Sequence, residues 1–141
     1  MNTNAWDNAR EMYARDNCAR QMGIEILEMG EGFARLSMTI TEAMLNGHQS
    51  CHGGQLFTLA DTAFAYACNS QGLAAVASGC CIDFVRPGSL GDRLIATAQV
   101  RSQGRQTGVY DIEITNQHEK TVALFRGRSH RIGTTVSGAK L

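Results

Sequence analysis

The sequence predicts an α+β domain in which a mostly antiparallel sheet of about six strands wraps one long hydrophobic helix. Three observations predict it. The segment Gly53 to Gly72, GGQLFTLADTAFAYACNSQG, is continuously apolar and rich in alanine and leucine, a helical composition. The runs on either side of it are strand-like and end at glycine, proline or polar breaks. At 141 residues the chain reads as one domain, residues 1–141, long enough to bury a core without metal or disulfide staples.

The elements follow in chain order. Residues 5–16, AWDNAREMYARD, carry Trp6, Ala9, Met12 and Tyr13 at helical spacing and predict a short amphipathic helix packed on the domain body. Ile24 to Met29 and Phe33 to Ile40 predict two strands joined by Gly30-Glu31-Gly32, whose glycines suit a tight hairpin. In the second, Ala34, Leu36, Met38 and Ile40 alternate with Arg35, Ser37 and Thr39. In the long helix Leu56, Phe57, Leu59, Ala63, Phe64, Ala65, Tyr66 and Cys68 cover the whole circumference, so burial on all sides is expected. Four more strands are predicted at Ala75 to Arg86, Asp92 to Gln103, Gly108 to Asn116 and Thr121 to Ile132, separated by Pro87-Gly88, Gly91, Gly104 and a polar stretch at 116–120. From about residue 134 the tail TTVSGAKL is expected to be mobile.

Charge and cysteine content exclude several functions. The 13 basic and 13 acidic side chains cancel, so no overall field draws the chain to nucleic acid or an anionic membrane. The long helix has membrane-span length, but Asp61 at its centre, Gln55, Asn69 and the polar chain on both sides argue against a span. The N-terminus is too polar for a signal peptide, and a cytoplasmic location is expected. Cys18, Cys51, Cys68, Cys80 and Cys81 show no CxxC spacing and read as reduced thiols.

The chemistry concentrates where the loop Asn46-Gly-His-Gln-Ser-Cys-His52 enters the helix at Gly53-Gly54. Paired glycines at a helix start carry an entropic cost, so either packing or a ligand needs their lack of side chains. The free N–H groups of a first helical turn form a site for a developing oxyanion, and glycine admits a carbonyl closely. Asp61 lies among Leu59, Ala60, Ala63 and Phe64, where an ionised carboxylate loses hydration; such a group is paired, at a subunit contact, or functional. His52 and Asn46 offer neutral hydrogen-bonding groups beside the helix start, either as loop braces or as substrate contacts. Gly53 and Asp61 are eight residues apart, about 12 Å along a helix, whereas a base and an oxyanion donor must both lie about 3 Å from the reacting centre. Two such helices packed antiparallel across a two-fold axis bring Gly53 of one chain to Asp61 of the other, which predicts an obligate homodimer with two composite sites.

The pattern Asn46, His52-Gly53-Gly54 and Asp61 within a hydrophobic helix resembles the PaaI-type hot-dog acyl-CoA thioesterases. The resemblance runs from the N-terminal helix to about Ile132 and includes IDFVRPGSLGD at 82–92 and RGRSHRIG at 126–133. Residues 45–78 are especially similar to the phenylacetate-degradation branch of that family. It implies a hot-dog fold, a dimer of dimers, and hydrolysis of phenylacetyl-CoA and its ring-hydroxylated derivatives, with no cofactor beyond the coenzyme A of the substrate. It further implies Asp61 as general base or nucleophile, the Gly53 N–H as oxyanion donor, Asn46 and His52 as groups orienting thioester or water, and Gly54 and Ser78 as substrate contacts.

Rival readings remain at this point. Cys51 is a conceivable nucleophile assisted by His52 or Asp61, and His48, Cys51 and His52 a conceivable metal set, although their spacing matches no familiar zinc motif. A hot-dog hydratase or a non-catalytic acyl-CoA-binding module would share the fold. Arg101, Arg105, Lys120, Arg126, Arg128 and Arg131 give residues 101–131 a local positive excess suited to coenzyme A phosphates or to a solvated strand face.

Overall fold

A computed structural model describes residues 1–141. Two N-terminal helices, α1 (Ala5–Arg15) and α2 (Asn17–Gln21), precede the hairpin β1 (Glu25–Gly30) and β2 (Phe33–Thr39). A 3-10 turn (Glu42–Met44) and a loop lead to α3 (Gly53–Cys68), followed by β3 (Leu73–Phe84), β4 (Arg93–Gln103), β5 (Thr107–Thr115) and β6 (Thr121–Thr135). The six strands form one sheet in the order β1-β2-β4-β5-β6-β3, with every neighbouring pair antiparallel. The sheet curls around α3, which touches β2, β3, β4, β5 and β6.

Alternation sends one residue in two toward the helix. The register aligns Leu36 with Ala96, Ala96 with Ile114 and Ile114 with Ala123, so buried side chains of four strands fall in one row under α3. Leu59, Ala60, Ala63, Phe64 and Ala67 meet that row from the helix. At Gly127 a Cβ would stand 2.8 Å from the Phe64 ring, so the closest approach of helix to sheet depends on the missing side chain.

The expected elements are present, with four differences of physical origin. The N-terminal helix breaks at Asp16 (φ −90°, ψ 79°), whose side chain accepts from the Ala19 N–H at 3.0 Å and starts a second helix. The predicted long helix stops at Cys68 and not Gly72. There the buried Asn69 side chain donates to the Ala65 carbonyl (2.8 Å) and exchanges two hydrogen bonds with the backbone of Ala75, turning the chain into β3. The helix is not enclosed on all sides, because Gly53, Phe57, Asp61 and Ala65, at four-residue spacing, share a stripe left half-buried. The segment expected to be a mobile tail is bonded to the body: β6 runs to Thr135, the Thr135 N–H donates to Ala139 O (2.8 Å) and the Val136 N–H to Gly72 O (2.9 Å).

β3 is an edge strand, bonded to β6 alone, and exposes Val76 and Phe84. No helix is long and apolar enough to cross a membrane. All five cysteines are unpaired.

Replacing Gly127 by alanine should crowd the Phe64 ring and destabilise the fold by about 1–3 kcal/mol, read as a lower urea midpoint with unchanged slope. An unchanged midpoint would mean that the ring has room to move.

Candidate active site

The loop between β2 and α3 is fixed at both ends. Leu45 and Cys51 form a β-bridge, the Cys51 N–H donates to Gly88 O at 2.8 Å, and the His52 N–H donates to Met44 O at 2.7 Å. Inside it, Asn46 Oδ1 accepts from the backbone N–H of His48 (2.8 Å) and of Ser50 (3.3 Å) and from the Ser50 hydroxyl (3.4 Å). The carbonyl half of the amide thus organises the loop. The NH2 half has no partner in the chain and remains available as a donor.

His52 is the N-cap of α3. Its Nδ1 accepts from the Gly54 N–H at 3.2 Å, which fixes that nitrogen as an acceptor and leaves Nε2 to carry the proton in the neutral ring. Gly54 therefore spends its N–H inside the cap. The Gly53 N–H makes no hydrogen bond within the chain, so of this glycine pair it is the unspent donor at the positive end of the helix. A Cβ on Gly53 would stand 3.0 Å from the tip of the exposed Phe84 ring, a tight contact that a small shift of the ring relieves.

Gly53 and Asn46 open into a cavity of about 320 Å3, together with Leu56, Phe84, Val85 and Arg86. Leu56, Phe84, Val85 and Pro87 give it apolar walls, and its polar groups include the two unspent donors, Ser50 and the Arg86 side chain. Asp61 is not part of that lining. It sits two turns further along the open stripe of α3, half-buried, with no hydrogen bond and no ion pair in the chain. Burial, and then the negative charge of Asp16, push its carboxyl above the ordinary 3.8. A carboxylate in that state is a stronger base than a hydrated one. The structure thus brings Asn46 and Gly53 together, gives Gly54 to the His52 cap, and holds Asp61 apart.

Ser78 lies on β3 at the bulge between Ala77 and Gly79, exposed, with its hydroxyl donating to Arg128 O at 3.1 Å. Of the basic side chains, Arg126 makes a two-pronged pair with Asp111 (2.6 and 2.9 Å) that Arg101 joins at 3.5 Å, while Arg105, Lys120, Arg128 and Arg131 form no ion pair. Sequence reading missed Phe84 and Asp16. The alternation of Cys80, Ile82 and Phe84 was a usable signal for the first. The second caps α2 locally through the Ala19 N–H, but its bond from Tyr66 spans 50 residues and had no signal in the sequence.

Two rivals gain no support from the geometry. Burial pushes the Cys51 thiol up to about 11, so it holds little thiolate at neutral pH. His48, Cys51 and His52 assemble no metal-binding cluster.

An unspent helix N-terminal donor, a loop amide beside it and a desolvated acid on the same helix are groups that a hydrolase of activated acyl compounds can use. Residues 48–123 match the thioesterase superfamily. The chain is 72% identical to the Escherichia coli (strain K12) acyl-coenzyme A thioesterase PaaI over 98% of its own length and 99% of that protein's. The structure of the E. coli PaaI protein from the phenylacetic acid degradation operon superposes with a TM-score of 0.92 at 74% identity, covering 93% of this chain and 95% of that one. A hypothetical thioesterase from Streptococcus pneumoniae TIGR4, solved with coenzyme A, gives 0.76 at 30% identity, covering 84% and 88%. The chain belongs to the PaaI-type acyl-CoA thioesterases of the hot-dog fold, and the hydratase and non-catalytic readings give way to a thioester hydrolase.

Cys51→Ala should keep wild-type kcat/KM in a thiol-release assay, and a loss beyond about tenfold in a folded variant would restore the cysteine reading. A carboxyl raised in the fold binds its proton more readily there than in the unfolded chain, so Asp61 costs stability as pH rises from 3.8 through its folded value. Asp61→Asn should therefore raise Tm at pH 7; a lowered Tm would show that the carboxylate is compensated in the native state.

Proposed function

We propose that this chain hydrolyses arylacetyl-CoA thioesters, phenylacetyl-CoA and its ring-hydroxylated derivatives, to the free acid and coenzyme A in phenylacetate catabolism. It acts in the cytoplasm as a homodimer with composite sites, two of which associate into a tetramer. The observation that carries the chemistry is the unspent Gly53 N–H, which meets the thioester carbonyl oxygen at the head of α3 in an apolar cavity. As the tetrahedral intermediate forms, negative charge develops on that oxygen, where one fixed N–H and the helix dipole stabilise it.

Asp61 of the partner subunit approaches the same carbon. As a general base it takes a proton from water while the water oxygen bonds to the carbonyl carbon. As a nucleophile its own oxygen forms a mixed anhydride that water then opens. In either route the C–S bond breaks and coenzyme A leaves as the thiolate. The Asn46 amide and His52 Nε2 orient the thioester or the water, and Ser78 and Gly54 are substrate contacts. The dimer is supported by the unpaired outer edge of β3 and by the open stripe Gly53, Phe57, Asp61 and Ala65. The substrate class is supported by the E. coli relative, and the coenzyme A part by the streptococcal protein solved with that molecule.

Thiol release from a panel of aryl and fatty acyl-CoAs tests this reading. Ring-hydroxylated phenylacetyl-CoA should give the highest kcat/KM, and Asp61→Asn should lose about 10²–10⁴-fold in kcat. A folded Asp61→Asn enzyme at full turnover would end the assignment of the acid, and a preference for long fatty chains would end that of the substrate.

A further inference from the structure

One aromatic side chain at the site has no part in the chemistry above. The alternation of β3 turns Cys80, Ile82 and Phe84 to the helix side, where Cys80 and Ile82 pack against the core. Phe84 is the last residue of that strand and meets Gly53, the first residue of α3, so its ring overhangs the head of the helix. It is 54% exposed, the only aromatic among the exposed large apolar side chains. The aromatic pairs of the protein join Phe57 to Phe125, and Phe64 to Tyr110 and Phe125; Phe84 enters none of them.

The backbone that carries this ring is fixed. Phe84 pairs with Ala123 of β6, the Val85 and Arg86 N–H groups both donate to Val122 O (2.8 and 3.2 Å), and the Arg86 guanidinium donates to Thr121 O at 2.8 Å. The ring reaches Gly53 with its tip: Cζ and the two Cε atoms stand 3.0–3.4 Å from the point that a Gly53 Cβ would occupy. Contact through the tip leaves both faces of the ring clear of that glycine. Phe84 also lines the cavity of about 320 Å3 into which the Gly53 and Asn46 donors open. An apolar ring is thus held, without an aromatic partner, beside the group that receives the reacting carbonyl.

We propose that Phe84 is a specificity-determining residue, which recognises the aryl group of the acyl moiety by ring-on-ring contact. This rests on the reading of the substrate as an arylacetyl-CoA whose carbonyl oxygen is held by the Gly53 N–H. An oxygen so held lies about 3 Å from the Gly53 nitrogen, and in an arylacetyl group the ring begins two bonds from the carbonyl carbon. A ring on so short a tether comes within reach of Phe84, and aromatic rings attract at centroid separations of about 4.5–7 Å. The coenzyme A arm is aliphatic next to the sulfur, so an aromatic wall at this place discriminates among acyl groups. A saturated ring of the same size fills the same space without the complementary π face.

The test is kcat/KM for thiol release from phenylacetyl-CoA and cyclohexylacetyl-CoA, whose acyl groups match in size and attachment and differ in aromaticity. Wild type should favour the aryl substrate. Phe84→Leu and Phe84→Ile keep an apolar side chain without a ring, and at a half-exposed strand end at least one should fold. Each should lower the ratio of the two kcat/KM values about two- to tenfold, the worth of one aromatic pair, while Phe84→Tyr keeps the ring and should hold the wild-type ratio. An unchanged ratio in a folded aliphatic variant overturns the inference, as does a wild type indifferent to aromaticity. An equal loss with both substrates overturns it too, because it would assign the ring to the coenzyme A arm, the helix head or the dimer contact, which both substrates share. A wild type that prefers long fatty acyl-CoAs would instead remove the arylacetyl reading itself, a failure distinguishable from that of Phe84.

Discussion

An α-helix advances 1.5 Å per residue and does not stretch, and this rigidity of α3 governs the arrangement of the site. Gly53 and Asp61 are held about 12 Å apart on the same rod, with Gly53, Phe57, Asp61 and Ala65 aligned on its one uncovered stripe. The donor cannot bend to the acid within a chain. A second rod, laid antiparallel along that stripe as proposed for the dimer, would close the distance twice at once. The sheet is compatible with this arrangement, because it covers the rest of α3 and ends in β3, whose far edge has unpaired backbone groups.

The same helix supplies opposite environments at its two positions. At its head, His52 satisfies Gly54 and leaves Gly53 unspent, so a dipole and a free N–H face an apolar cavity bordered by Phe84. Two turns on, Asp61 has no donor and no cation, and both burial and Asp16 disfavour its charge. One end awaits negative charge and the other is reluctant to carry it. That contrast suits a reaction in which charge moves from the acid to the substrate oxygen.

Most of the fold was legible because its signals are local. The continuous apolar run of α3, the alternation in β2 and the glycine and proline breaks located every strand to within a few residues. The misplacements arose where a side chain reached across space. Asn69 ends α3 by bonding to Ala75, and the C-terminal segment is tied to Gly72. The loop and helix residues of the site were legible as types, but their division of labour was not. Which of Gly53 and Gly54 keeps a free N–H depends on the His52 ring, and the influence of Asp16 on Asp61 joins residues 45 positions apart in sequence.

The central claim is that donor and acid come from different chains, and a mixed dimer tests it most directly. Gly53→Pro removes the N–H at the first helical position, where proline is tolerated, and His52 already has the extended backbone (ψ 133°) that precedes proline readily. Each homodimer, Gly53→Pro or Asp61→Asn, should be inactive. In purified heterodimers carrying one chain of each, one site combines both defects and the other none, so the account predicts recovery of about half the wild-type kcat per dimer. Heterodimers as inactive as their parents would place donor and acid in a single chain and contradict it.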